Sequence, residues 1–130
     1  MGIFHIIPTK DGRFMFNLIA NNYRIISTSQ TYASVDNAKI GIGSVRSNCS
    51  VHIEDQTVDG YEVLKNPKYE VYLDVGGNPR FRLRASNGEI IAASQGYADK
   101  ASCLKGIQSV ANHAPDAEIV IDTEPDEGEE

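Results

Sequence analysis

The chain repeats itself. Displaced by 65 residues, it overlays on its own second half without a gap. Phe16, Leu18, Ala20 and Asn22 fall on Phe81, Leu83, Ala85 and Asn87. Ile25, Ile26, Ser29, Gln30, Tyr32 and Ala33 fall on Ile90, Ile91, Ser94, Gln95, Tyr97 and Ala98, and Gly41, Ile42, Ser44 and Val45 on Gly106, Ile107, Ser109 and Val110. That is 14 identities in the 30 positions from 16 to 45, where average composition would give about two. Whatever one copy folds into, the other must fold into as well.

Each copy reads as strand, strand, strand, helix, strand. In the first, Phe4-His5-Ile6-Ile7 is a short strand and Lys10-Asp11-Gly12-Arg13 a hairpin turn, since Asp-Gly supplies the positive φ that such turns need. From Arg13 to Ala20 the residues alternate, with Phe14, Phe16, Leu18 and Ala20 on one side. That period of two predicts a strand with one buried face. Asn21-Asn22 turns the chain into a third strand over residues 23–31. Ser34 is placed to cap a helix, whose apolar face is Ala38, Gly41, Ile42 and Val45, and Val51-His52-Ile53 is the last strand. The second copy follows suit: strands over 69–73, 80–85 and 89–94, a helix capped by Asp99 with Cys103, Gly106, Ile107 and Val110 inward, and a strand over 118–121.

A three-stranded meander with one helix is too small to bury its apolar side alone. Two copies that join sheets edge to edge share a core. The expected fold is therefore a two-layer α+β domain, with one continuous antiparallel sheet, both helices on one face and pseudo-two-fold symmetry. Repeat one spans 3–54, repeat two 68–121 and a linker 55–67, all within one compact domain over 1–121. Tyr61, Val63 and Leu64 point to a linker that packs against the body. Gly41 and Gly106 occupy equivalent mid-helix positions, where glycine costs about 0.5–1 kcal/mol relative to alanine. The same cost met twice implies that each helix approaches the sheet too closely for a Cβ.

Charge is unevenly placed. The 130 residues carry a net charge of −6, yet six acids lie in the last nine positions: Asp122, Glu124, Asp126, Glu127, Glu129 and Glu130. The body is neutral, and residues 122–130 are expected to form a disordered acidic tail. The two cysteines, Cys49 and Cys103, are far apart and form no framework, which fits a reducing, cytoplasmic compartment. No apolar run reaches membrane-spanning length, and Met1-Gly2-Ile3-Phe4-His5 has neither signal-peptide nor myristoylation character.

The pattern Phe-x-Leu-x-Ala-x-Asn, then Ile-Ile-x-x-Ser-Gln-x-Tyr-Ala, then Gly-Ile-x-Ser-Val, present twice, resembles the YegP-like family of small bacterial and archaeal domains. Ser102-Cys103-Leu104-Lys105-Gly106-Ile107 with Ser109-Val110 is especially similar. The resemblance implies single repeats that pair or fused tandems, and an exchange of the last strand of each unit onto the other. Residues 51–53 would then lie beside the second unit and 119–121 beside the first. It implies no established biochemical function and no catalytic residues.

Few residues are patterned for chemistry. His5, His52 and His113 have no partner at metal-ligand spacing, and Cys103 aligns with Ala38 as a small core residue. Gly41-Ile42-Gly43-Ser44 lies inside a helix, so it is no phosphate loop. No catalytic, metal or cofactor residue is assigned. Two candidate binding features remain. One is a symmetric pair of notches at the strand-to-helix junctions, formed by Gln30 and Tyr32 and by Gln95 and Tyr97. The packing account has the tyrosines beneath the helix starts while Ser and Gln satisfy the turn. The other is the open face of the sheet, where Arg80, Arg82 and Arg84 stand beside Tyr72, a platform for stacking and phosphate contact. Against it, Glu70 and Asp74 lie within cross-strand reach, copy one has Met15, Asn17 and Ile19 there, and the pI is about 5.0.

The chain is thus expected to be a non-enzymatic, monomeric interaction or accessory domain with a protein partner. A weak single-stranded nucleic-acid or polyanion binder is the alternative.

Overall fold

In a computed structural model, which describes residues 2–122, alternation sets the first strands. β1 (Ile3–Pro8) and β2 (Phe14–Ile19) pair antiparallel, with Phe4 opposite Leu18 and Ile6 opposite Phe16, so these four buried side chains share one face. β3 (Ile25–Thr28) completes the meander. Ser34 Oγ accepts the Asn37 N–H at 3.1 Å and opens α1 (Val35–Asn48), and β4 (Ile53–Asp55) ends the unit. The second repeat runs β5 (Lys68–Leu73), β6 (Pro79–Arg84), β7 (Ile90–Ala93), α2 (Lys100–His113), a 3₁₀ turn (Ala114–Asp116) and β8 (Glu118–Ile121). Asp99 Oδ1 accepts the Ser102 N–H at 2.8 Å to cap α2.

The eight strands form one sheet in the order β4-β5-β6-β7-β3-β2-β1-β8. Two meanders meet where β3 lies antiparallel to β7. β4 adds beside β5, and β8 beside β1, so each last strand sits on the other repeat, as the family resemblance implied. Both of these edge pairs are parallel, which corrects the expectation of a wholly antiparallel sheet: the sheet is mixed. The reason is connection length. Hairpins join antiparallel neighbours, whereas parallel neighbours need a return of about a dozen residues. Residues 56–67 are that return, carrying the chain from the end of β4 to the start of β5.

Both helices cover the Phe4 face. α1 rests on β1, β2 and β7, while α2 rests on β6 and β3, so each helix spans the junction between repeats. Phe4, Phe16, Ile42 and Val45 join Tyr69, Phe81, Ile107 and Val110 in one core cluster. Each such side chain contributes roughly 1.5–3 kcal/mol when fully buried. The helix glycines do mark a close approach. A Cβ on Gly41 would lie 2.6 Å from Tyr32 Cζ and 3.2 Å from Phe16 Cε2; one on Gly106 would lie 2.8 Å from Tyr97 Cζ and 3.0 Å from Phe81 Cε2. The space is taken first by a tyrosine wedged under the helix and only then by the sheet.

Several local expectations shift. β4 is centred on Glu54 rather than on His52, because a charged residue can be buried in a strand when a cation meets it there. The linker is held mainly by polar contacts. Tyr61 and Val63 are exposed and Leu64 is half-buried, while the Leu64 N–H donates to Glu54 Oε1 at 2.7 Å and His52 Nε2 meets the Lys65 carbonyl at 2.8 Å. Asp122, placed in the tail by its charge, continues the β8 pairing: its N–H donates to the Ile6 carbonyl and its carboxylate meets His5 Nε2 at 2.7 Å. The remaining tail expectation, residues 123–130, lies outside the described residues. No helix among the described residues is long and apolar enough to cross a membrane.

Candidate binding surfaces

Antiparallel register brings the arginine stripe together. Across β5 and β6, Tyr72 faces Arg80, Glu70 faces Arg82 and Lys68 faces Arg84, all on the side away from the helices. Arg82 Nε and Arg84 Nε both donate to Glu70 Oε1, at 2.5 and 2.8 Å, and the Arg82 guanidinium lies 4.2 Å over the Tyr72 ring. Arg80 Nε donates to Asp74 Oδ2 at 2.6 Å. Lys68 Nζ stands between Glu54 Oε1 at 2.6 Å and Glu70 Oε2 at 3.3 Å. Burial pushes the Glu70 carboxyl up, but hydrogen bonds from Arg82 and Arg84 outweigh it and hold the group below its ordinary range. Glu54 shows the same balance more strongly: burial opposes ionisation, yet Lys68, Gln56 and the Leu64 N–H bring it down to about 2.

The four residues singled out by sequence therefore do assemble, and their charge is used internally. Lys68, Glu54 and Glu70 are all nearly inaccessible. Arg84 Nη1 and Arg80 Nη1 turn inward to the carbonyls of Gly88 and Ser94, at 2.8 and 3.2 Å. The Nε hydrogen of each arginine, and one Nη1 hydrogen each of Arg80 and Arg84, are committed to carboxylates and carbonyls, so only part of each guanidinium is left to meet a phosphate. In copy one the equivalent face carries Met15, Asn17 and Ile19, and Asn17 Oδ1 is buried without a hydrogen-bond partner.

The junction notches split by residue. Ser29 Oγ accepts the Phe16 N–H and Ser94 Oγ the Phe81 N–H, both at 2.9 Å, and each hydroxyl donates to the next residue's carbonyl. The serines thus hold the turn. Tyr32 stacks on Phe16 with centroids 6.0 Å apart, and Tyr97 on Phe81 at 6.3 Å. The glutamines were expected to satisfy the turn; Gln30 and Gln95 instead stand exposed at the mouths of the notches. Burial pushes both tyrosine phenols up; at Tyr32 the Gln30 side chain acts against that shift, though no hydrogen bond of good geometry reaches the buried Tyr32 Oη.

At the Gln95–Tyr97 notch the surface opens into a groove of about 750 Å³. One wall is the β2–β3 turn of repeat one, with Asn22, Tyr23 and Arg24; the other is α2 of repeat two, with Ser102, Lys105, Gly106 and Ser109. Tyr23, Arg24 and Lys105 were not singled out by sequence. A signal for them does exist: they are positions at which the two copies differ, holding Gly88, Glu89 and Ile40 in the other.

The cysteines are buried and unpaired, and burial pushes the Cys103 thiol up to about 11, where little thiolate forms near neutrality. Among the described residues, no group of three or more His, Cys, Asp or Glu side chains gathers that could hold a metal ion.

Comparison with known proteins agrees with the duplication. The family described as a domain of unknown function, DUF1508, matches twice, at residues 9–55 and 74–120. A UPF0339 protein of Pseudomonas aeruginosa is 38% identical over 114 residues, covering 88% of this chain and 91% of its own. A UPF0339 protein of Methanosarcina acetivorans is 63% identical over 54 residues, which is 42% of this chain but 93% of that protein. That relative has the length of a single repeat. The solution structure of YegP from E. coli, a protein of unknown function, superimposes with a TM-score of 0.79 at 33% identity, covering 96% of both chains.

Proposed function

For this chain, which belongs to the DUF1508 family of proteins of unknown function, we propose the role of a non-enzymatic binding domain. One observation carries the reading: the shared serines and tyrosines of the junctions, and the cap residues at equivalent positions, have a structural duty, while the shared Gln30 and Gln95 stand exposed. Ser29 and Ser94 close the strand-to-helix turns, Tyr32 and Tyr97 fill the space over the helix glycines, and the caps of α1 and α2 are met by Ser34 and Asp99. Catalysis needs polar groups left free to meet a reacting atom. In this molecule duplication has preserved the groups that build the scaffold and the exposed Gln30 and Gln95, and the two copies diverge at Tyr23, Arg24 and Lys105.

The domain acts as a monomer, since fusion already supplies each unit with its partner, and its unpaired thiols suit a reducing compartment such as the cytoplasm. The nucleic-acid alternative through Tyr72, Arg80, Arg82 and Arg84 is disfavoured, because Glu70 and Asp74 already hold the guanidinium groups.

Capture of partners from a native lysate tests the proposal, with Arg80→Ala/Arg82→Ala/Arg84→Ala as the control bait. A stoichiometric partner retained by both baits supports a binding role away from the stripe. Turnover of a small-molecule substrate, abolished by one polar substitution that leaves the melting curve intact, would overturn it. Single-stranded RNA retained at low salt only by the unsubstituted chain would restore the alternative.

A further inference from the structure

The fused repeats create two equivalent notches, one of which opens into the groove beside α2, and the sequence has made them chemically different. Their floors are alike: Tyr97 over Gly106 in one, Tyr32 over Gly41 in the other. Packing dictates those residues and keeps them identical. The rims differ in charge. The groove beside α2 has Arg24 and Lys105, where its twin has Glu89 and Ile40. Glu89 adds a minor contribution to raising the Tyr32 phenol, after burial. The scaffold common to both sites does not demand this difference in charge, since Arg24, Lys105, Glu89 and Ile40 are all exposed.

Two further observations point to a ligand. Arg24 and Lys105 have no salt-bridge partner among the described residues, whereas the stripe arginines are all paired. Asp99 senses Lys105, but its carboxylate is engaged in capping α2. Second, Tyr23 adopts φ 66°, and its counterpart in the other copy is Gly88 at φ 87°. A tyrosine in a conformation suited to glycine costs free energy. Packing returns little of it, because the side chain is 85% exposed.

We propose that this groove binds a small phosphorylated ligand with a planar ring, of mononucleotide size, the phosphate meeting Arg24 and Lys105 and the ring lying against Tyr23. The groove, about 750 Å³ and open to solvent, has room for a ligand of that size lying along the surface. A guanidinium and an ammonium from two different repeats converge on one anion, and an exposed phenol ring offers a stacking face to a base. The proposal rests on the reading of the chain as a binding domain and gives it a ligand class.

The test is titration of the full chain with adenosine monophosphate at low salt, followed by amide and ³¹P NMR. Adenosine and inorganic phosphate are separate arms. Saturable shifts at Tyr23, Arg24, Gln95 and Lys105 are expected, with either fragment alone binding at least about tenfold more weakly. The variant Tyr23→Gly/Arg24→Glu/Lys105→Ile gives this groove the residues of its twin and should lose binding by about tenfold or more. If that variant does not fold, Lys105→Ile alone, on an exposed helix position, should weaken binding severalfold. Shifts confined to the Arg80–Arg84 face, no saturable shifts, or equal affinity in a folded variant would overturn the proposal. Phosphate alone binding as tightly as the nucleotide would overturn the ring's role. Loss of the nucleotide's ³¹P signal to a product would sink the non-enzymatic reading while leaving the groove as its site.

Discussion

Thr28 and Ala93 are equivalent residues, one in each repeat, and they are each other's partner across the centre of the sheet. A local two-fold axis must pass between two positions related in that way. It makes the main packing contacts between the repeats occur twice: β4 on β5 and β8 on β1, α1 over β7 and α2 over β3. Cooperativity between the halves follows from this doubling.

Residues 1–67 expressed alone should therefore yield no folded monomer. β4 would lack β5, and the β3 edge would lack β7. The expected products are an unfolded chain or a homodimer in which each β4 lies beside the other chain's β1. Light scattering with a concentration-dependent melt distinguishes these outcomes. A folded monomer at micromolar concentration would contradict the shared core.

Gly41→Ala and Gly106→Ala should each destabilise the protein by about 1–3 kcal/mol, because the new methyl meets a ring boxed in by helix and sheet. For a chain of this size that is a loss of several degrees in Tm. The equivalence of the sites predicts similar losses. A variant that melts with the parent would show that the tyrosine can move aside.

Two buried tyrosine hydroxyls should behave differently. Tyr69 Oη donates to the Cys49 carbonyl at 2.8 Å, so Tyr69→Phe should cost about 1 kcal/mol. Tyr32 Oη is buried and no hydrogen bond of good geometry reaches it, the Gln30 side chain acting on it only weakly, so Tyr32→Phe should cost less than Tyr69→Phe and be close to neutral. Urea unfolding of both variants measures the contrast.

Acid should weaken the β4–β5 edge through Glu54. Its carboxyl falls from 4.5 to about 2 on folding, so its contribution is fully present above about 4.5 and is lost as pH falls towards 2. In Glu54→Gln that part of the acid dependence should vanish, as read from unfolding free energies between pH 5 and 2. Lys68→Met should cost roughly 3–5 kcal/mol at neutral pH, since it leaves two buried carboxylates without their shared cation.

Particular residues show how much was legible beforehand. Ser34 and Asp99 announce their helices, because capping is a local act between a side chain and an N–H three residues on. Phe16 and Leu18 announce their strand and its buried face for the same reason. Glu54 was missed as a strand residue, since only Lys68, fourteen positions away, makes its burial tolerable. The arginine stripe was placed correctly, and Glu70 was seen to be within reach. What pattern could not supply was the depth of that carboxylate or its hold on Arg82 and Arg84 at once.

The sequence alone determined the duplication, the order of elements in each copy, the apolar faces and the need for the copies to share one core, because periodicity and capping act over a few residues. The tertiary structure decided the parallel pairing at both edges, the internal neutralisation of the stripe and the groove between the β2–β3 turn and α2. Each of these joins residues remote in the chain, and their distances exist only once the two repeats are laid side by side.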